Sequence, residues 1–467
     1  MDEFLRDIHT IIFKQWILSQ DHKDYQISIN PQNNNQILIL TKYSHSEITF
    51  NNKNIIELSV TNTFNNEIEF YLHFQMRTLL HAIELFNEML ESIKKLIYKP
   101  ITKILLSCSG GLTTSFFASK MNEAAKLLFF HYEASAIGYN ELFNIGSEYD
   151  IILLAPQISF MHAKVQEILK DQIVLKIPPQ VFAKYDVGKM ISIIQEAMNN
   201  HKQISLTNHH SVSLKTSIQC KAPILCLGII RNSNRVHIAY RLYGLHNHII
   251  LDKEIIKNTI SIQDFYDVID SILVQYPSVN MIGISVPGII DDQSITSTNI
   301  NGLDQINVQK SFAQRYKQKI IFSNDVNTAV VGYYASQKDY SSLALLFQPT
   351  SFFAGAGIII DGQLITGRSN IAGEVQYLPL SLSEKPLYLN KTPEGAIELV
   401  SKIISCIMAI VDPDAIILFC TLITDIEELK DAISKIIPHS HIPDIIKIDN
   451  LNEYTLIGQM ILCAQKQ

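Results

Sequence analysis

The sequence predicts an α/β protein in three parts. These are a small α+β module at residues 1–99, a four-stranded parallel α/β domain at 101–200, and a larger two-lobed α/β region at 222–467. Three observations carry this reading. From residue 101 onward short apolar runs alternate with segments of helical period, the pattern of sheets covered by helices. Before residue 99 the apolar stretches alternate residue by residue and are punctuated by asparagine, as in antiparallel strands. The 467 residues suffice for about three domains.

In the first part, Glu3 to Leu18 has a helical period. Short alternating stretches follow at Tyr25–Ile29, Gln36–Thr41, Glu47–Phe50, Ile55–Thr61 and Glu67–Phe74. The asparagine-rich Pro31–Asn35 and Phe50–Asn54 read as turns between them. From Met76 to Ile97 the residues Leu79, Ile83, Phe86, Leu90 and Ile93 recur at helical spacing. The pattern lacks the two short helices and glycine turn of a helix-turn-helix, and its polar residues form no basic cluster.

In the second part, strands at Ile104–Ser107, Leu127–Ala134, Ile151–Ala155 and Val174–Ile177 alternate with helices near 116–126, 159–170 and 187–199. The first strand runs into Cys108, then Ser109, Gly110, Gly111, Leu112, Thr113, Thr114 and Ser115, and a helix follows at once. A strand, a glycine-rich turn and a helix N-terminus make a concave array of N–H groups suited to a phosphate. A cysteine at its lip gains thiolate character from those same groups. The segment therefore suggests a thiol that holds a phosphoryl group, placed at the carboxyl end of a parallel sheet where such ligands sit. A cysteine phosphatase would carry an arginine six residues beyond its nucleophile to clamp the phosphate; that position is Thr114. The pattern also suits an inert cysteine packed in a tight turn.

Composition excludes several classes. A net charge of −7 and a pI near 6.1 give no global reason to expect nucleic acid or an acidic membrane as partner. Met1–Arg6 lacks the plan of a signal peptide, and no stretch of about 18 apolar residues occurs. The cysteines 108, 220, 226, 406, 420 and 463 lie far apart without CxxC pairs, which points to reduced thiols in a cytoplasmic protein and away from a thiolate metal site. Residues 201–221 read as a polar linker, in which His209 and His210 are solvated rather than metal-binding. In the third part the key pieces are Met281–Gly288, Ile320–Asn327, Ala354–Gly362, Asn370–Glu374 and the apolar Ala415–Phe419.

On Ile104–Ser115, Tyr149–Gln157 and the run from Tyr185 to Ala197, the middle domain resembles the enzyme IIB domain of the lactose/cellobiose class of the sugar phosphotransferase system. That resemblance implies that Cys108 accepts a phosphoryl group from a phosphohistidine on a IIA partner. Residues Ser109 to Ser115 would hold the thiophosphate oxygens.

On Gly283–Gly288, Ser323–Ala329, Gly355–Leu364, Gly373–Glu374 and Val411–Leu418, the region 222–467 resembles the ROK family of repressors and sugar kinases. The resemblance implies two actin-like lobes and a homodimer. It also implies a sugar site formed by Asn301, Asn324, Asp325, Glu374 and Tyr377, with Asp325 in the position of the catalytic base. Nucleotide elements depart from the family. The first phosphate loop reads Leu225–Asn234 without aspartate or paired glycines; the second, Pro349–Gly355, carries Phe352 and Phe353; the late glycine turn reads Leu418–Thr421. The family's zinc-binding pattern is missing from Val375–Tyr377 and Ser381–Leu387, which hold no cysteine, so no metal and no nucleotide cofactor are expected.

The expected function is therefore a cytoplasmic regulator that couples phosphorylation of Cys108 to a sugar or sugar phosphate in the ROK-like cleft. An active sugar kinase with divergent nucleotide loops and an interaction protein with vestigial sites are the alternatives. A DNA-binding repressor is disfavoured, because no N-terminal winged helix is readable.

Overall fold

The computed structural model describes residues 3–20, 24–41, 43–63, 66–97, 102–110, 112–127, 132–170, 172–201, 218–231, 236–290, 295–296, 308–350 and 352–467. Among them the strands form a ten-stranded mixed sheet, a four-stranded parallel sheet, a five-stranded sheet and a small hairpin.

The first part folds as helix Glu3–Leu18, five antiparallel strands from Gln26–Asn30 to Ile68–Gln75, and helix Leu79–Ile97. Two expectations need correction. Asn33–Asn35 does not turn but opens the strand Asn33–Leu40, leaving the reversal to Pro31 and Gln32. Nor do the five strands end in a sheet of their own. Ile68–Gln75 lies beside Ile249–Lys257 of the third part, with Tyr71 opposite Ile256, so both parts share the ten-stranded sheet. Phe13, Leu58 and Phe86 then enter one apolar core with Phe265 and Ile282.

Charge closes that junction. Asp270 pairs with Arg77 from the first part and with Arg315 at 2.7 Å. Lys257 reaches Asp264 at 2.6 Å and Glu88 at 2.7 Å, and His81 meets Asp267 at 3.1 Å. The three pairs that reach the first part, Arg77–Asp270, His81–Asp267 and Lys257–Glu88, join residues far apart in sequence and leave no periodic signal. Nearby His73 is buried and held down at about 3 by that burial and by Lys253.

The middle part is a parallel sheet ordered Tyr132–Gly138, Thr102–Cys108, Ile151–Leu154, Ile173–Lys176. Its second strand in sequence starts at Tyr132, not Leu127, because the preceding helix starts early and runs Leu112–Leu127. Short helices at Tyr139–Ile145 and Pro179–Lys184 were not legible. One face of this domain packs on the third part: Leu105, Leu154 and Val165 share a cluster with Leu429, Ile433 and Ile445. Lys447 pairs with Glu167 at 2.6 Å across it. Burial, with Glu394 and Glu428 nearby, pushes the Tyr139 phenol up.

The third part has the expected two lobes. In the first, Ile224–Arg231, Val236–Tyr243 and Ile249–Lys257 run antiparallel, and Met281–Val286 and Lys319–Asn324 run parallel to Ile224–Arg231. The second is ordered Gln363–Leu364, Gly355–Ile360, Leu343–Phe347, Ala415–Phe419, Asp444–Lys447. Helices Asp325–Ser336 and Leu451–Ala464 pack together between them.

Burial pushes His81 down, but the hydrogen bond and charge of Asp267 outweigh it and raise the imidazole above its ordinary value. A group raised on folding contributes stability that is complete below its ordinary value, about 6.5, and is lost as pH climbs through the folded one. The substitution His81→Gln should therefore cost about 1 kcal/mol near pH 6, and the gap to wild type should close toward alkaline pH in paired thermal melts.

Candidate functional sites

Cys108 ends its strand opposite Gly138, at the carboxyl edge of the parallel sheet. Its thiol is almost buried, and Sγ lies 3.0 Å from Thr114 Oγ1, itself fully buried in the first turn of helix Leu112–Leu127. The residue in place of a phosphatase arginine thus hydrogen-bonds the sulfur. Ser109, Gly110, Thr113 and Ser115 are exposed around it, and a Cβ at Gly110 would meet nothing within 4 Å. Leu112 opens the helix, while Gly111 lies outside the described residues. The rim carries aromatic residues that sequence reasoning passed over. Phe116 is 50% exposed with its ring 4.9 Å from that of Tyr185, and Phe160 is 78% exposed after the strand Ile151–Leu154. Their signal was positional, since each follows soon after a strand or loop at this edge.

The residues expected at the sugar site are carried by both lobes of the third part. Asn324 ends the strand Lys319–Asn324 and caps the next helix: Oδ1 accepts from Asn327 N at 3.0 Å, and Nδ2 donates to Gly288 O at 3.0 Å. Asp325, half-buried, is the first residue of that helix, and its Oδ1 accepts from Val326 N at 2.9 Å. Neighbouring Asn327 has a buried Oδ1 with no partner among the described residues, a polar atom not singled out from the sequence.

Glu374 comes from the other lobe and accepts from Gln376 Nε2 at 2.9 Å. Its place is set by Gly373, with φ at 90°, where a Cβ would fall 1.8 Å from Ala356 O. Asn370 Nδ2 ties this segment to Ile290 O of the first lobe at 2.8 Å. Tyr377 is 63% exposed. Asn301 lies outside the described residues.

Two family models match the chain. The lactose/cellobiose-specific IIB subunit of the phosphotransferase system covers residues 103–192, and the ROK family covers 237–396. The chain joins a phosphotransferase IIB domain to a ROK domain. Over 114 residues it is 30% identical to an N-acetylmannosamine kinase of Vibrio cholerae serotype O1, covering 24% of this chain and 39% of that protein. Over 104 residues it is 31% identical to the lactose-specific EIICB component of a phosphotransferase system in Staphylococcus aureus, covering 21% of this chain and 18% of that one. The chain thus spans well under half of either relative.

Among solved structures, a ROK hexokinase from Thermus thermophilus is 14% identical with a TM-score of 0.42, covering 52% of this chain and 98% of its own. A ROK transcriptional regulator, homologous to the E. coli MLC protein, is 14% identical at 0.40, covering 64% and 90%. The lactose-specific IIB domain from Streptococcus pneumoniae is 27% identical at 0.19, covering 20% and 95%.

The segment at 349–355, where the resemblance places a second phosphate loop, is held by hydrogen bonds to its own carbonyls. Gln348 Nε2 donates to Pro349 O and Phe352 O, and Asn390 Nδ2 donates to the same two carbonyls. Thr350 and Thr421 hydrogen-bond through their hydroxyls at 3.0 Å, joining this loop to the late turn. Phe352 and Phe353 are each about half exposed. Cys420, in that turn, is buried and pushed up to about 11. Among the described residues no group of three or more His, Cys, Asp or Glu side chains could hold a metal, and no helix is long and apolar enough to cross a membrane.

The substitution Gly373→Ala should cost about 1–3 kcal/mol or more, since it adds both φ strain and a backbone clash. Asn324→Ala should cost only about 1 kcal/mol, the worth of a cap. Urea midpoints compared with wild type would rank the two.

Proposed function

We propose that this chain is a regulator of sugar metabolism, in which Cys108 is phosphorylated by a IIA protein and the ROK domain binds a sugar or sugar phosphate without phosphorylating it. The single observation that carries the reading is a contrast within one chain. The thiol, its turn and its helix start are arranged as a phosphoryl acceptor needs, while the segments where the resemblance places nucleotide loops carry the bulky Phe352 and Phe353 and are tied together by the Thr350–Thr421 bond. Among the described residues no cysteine forms a disulfide, which suits a reducing, cytoplasmic setting.

In the transfer, Cys108 Sγ attacks the phosphorus of a phosphohistidine. The P–N bond breaks as the P–S bond forms, and the imidazole leaves with the electron pair and takes up the thiol proton. Exposed Ser109, Thr113 and Ser115, with the helix N-terminus, would hold the phosphoryl oxygens. Without an arginine at position 114 nothing clamps the group for hydrolysis, so the thiophosphate persists as a signal. The aromatic rim of Phe116 and Phe160 suits docking of the donor protein. In the cleft, Asn324, Asp325 and Glu374 offer the carboxylates and amide that pair with adjacent hydroxyls. Regulation requires that phosphorylation and sugar change each other's affinity, for which the packed face between IIB domain and second lobe provides the contact.

The test uses the full chain in a reconstituted phosphoryl relay from phosphoenolpyruvate, with mass-spectrometric mapping. Label should appear on wild type at Cys108 and vanish in Cys108→Ser; no transfer from any IIA protein of the same cell would sink the proposal. Calorimetry should show binding of a sugar or sugar phosphate and none of Mg-ATP. Sugar phosphorylation from ATP, lost in Asp325→Asn, would replace this reading with a kinase.

A further inference from the structure

Helix Glu3–Leu18 is apolar on both sides, which a helix at the surface of a single molecule does not need. Phe13 and Ile17 enter the core and are fully buried. At about 100° per residue, Phe4, Leu5, Ile8, Ile11 and Ile12 fall within one arc on the opposite side. Phe4 is 66% exposed, Ile11 62%, and Leu5 and Ile12 45% each, with Ile8 half-buried between them. On roughly 200 Å² for a fully exposed large side chain, those four leave about 440 Å² of apolar surface, the size of the largest patch on a typical monomer.

The strand beside this helix is an open edge. Gln26–Asn30 packs against the helix and is the outermost strand of the ten-stranded sheet, with no neighbour on its far side among the described residues. Lys14 Nζ donates to Asn34 O of the following strand at 2.6 Å, tying helix and hairpin together. Natural edge strands are commonly guarded by lysine or proline. Gln26–Asn30 holds neither, and no residue in it is charged.

A membrane surface would ask for basic residues along the helix's polar flank. Glu3 and Asp7 share that flank with Lys14, and the chain carries a net charge of −7. A second copy fits better, because a two-fold axis normal to the sheet makes both features complementary to themselves. It sets the edge strand antiparallel to its own copy, where N–H and C=O groups pair reciprocally. It also lays the two helices antiparallel with their apolar arcs together. With the axis near Ile8, Glu3 of one copy stands opposite the partner's Lys14, and the reverse. The two helix faces remove about 900 Å² from water, and strand pairing carries the total toward the roughly 1,200–2,000 Å² of a stable interface.

We propose that helix Glu3–Leu18 and strand Gln26–Asn30 form an isologous interface with a second copy of this chain, joining two ten-stranded sheets edge to edge. The interface is separate from any dimer through the ROK domain and depends on neither phosphorylation nor sugar.

Sedimentation and light scattering of the full chain over a concentration series provide the test. Wild type should associate reversibly. Phe4→Glu combined with Ile11→Glu, both solvent-facing in the single chain, should weaken that association about a hundredfold and leave the circular-dichroism spectrum unchanged. The readout is a fall in mass, from tetramer to dimer where the ROK domain also pairs. Glu3→Lys should weaken association a few-fold, and adding Lys14→Glu to the same chain should restore it, a rescue that damage to the fold would not show. Ile8→Cys, beside the axis, should give a disulfide-linked dimer on oxidation with copper phenanthroline under conditions that leave wild type uncrosslinked. A monomeric wild type, association unchanged by the double glutamate variant, or no crosslink from Ile8→Cys would overturn the inference. So would a monomer that binds anionic vesicles through Phe4 and Ile11.

Discussion

Helices Asp325–Ser336 and Leu451–Ala464 cross where Gly332 meets Gly458, and a methyl group at either glycine would lie within 1.9 Å of a carbonyl oxygen on the other helix. That backbone contact holds the two lobes of the ROK domain at their separation. Asn324 and Asp325 sit at the start of the first helix, and Arg241 pairs at 2.7 Å with Glu453 in the first turn of the second. The placement of Asn324 and Asp325 against the second lobe therefore follows from how closely two backbones can approach. A helix pair kept apart by side chains would shift Asn324 against Gly288 and Glu374 against both.

The first 97 residues extend this scaffold. They add five strands to the lobe's sheet and supply Arg77, His81 and Glu88 to carboxylate and lysine partners on and beside helix Ile262–Gln275. Because several of these charges are buried, removing one partner would leave an uncompensated ion, a larger loss than the pair itself is worth. This junction makes the N-terminal strands part of the ROK lobe's framework. The IIB domain, inserted between the two, docks on the opposite lobe. Gly138, the register partner of Cys108, is followed directly by Tyr139, which lies near Glu394 and Glu428. The thiol and the second lobe are thus separated by one strand end and one side chain.

Much of the fold was legible, because its signals are local. Parallel strands buried on both faces read as apolar runs, and the turn after Cys108 is written in consecutive residues. Gly373–Glu374 was legible only through the ROK resemblance, and the structure adds that Gly373 has φ at 90°, which favours glycine. Misreadings came where propensity is weak: three asparagines opened a strand instead of a turn, and the helix ending at Leu127 pushed the next strand to Tyr132. Phe160 carried no signal in the sequence, and its exposure is a matter of tertiary structure.

By itself the sequence determined the two domain families, the position of the thiol, the absence of an arginine six residues beyond it, and the departure of the nucleotide loops from the kinase pattern. Each is a matter of which residues stand next to one another along the chain. Tertiary structure decided what those residues do to each other. It placed Thr114 on the sulfur, joined Thr350 to Thr421, and merged two sheets into one of ten strands. Hydrogen bonds and burial join residues far apart in sequence, and no local period encodes them.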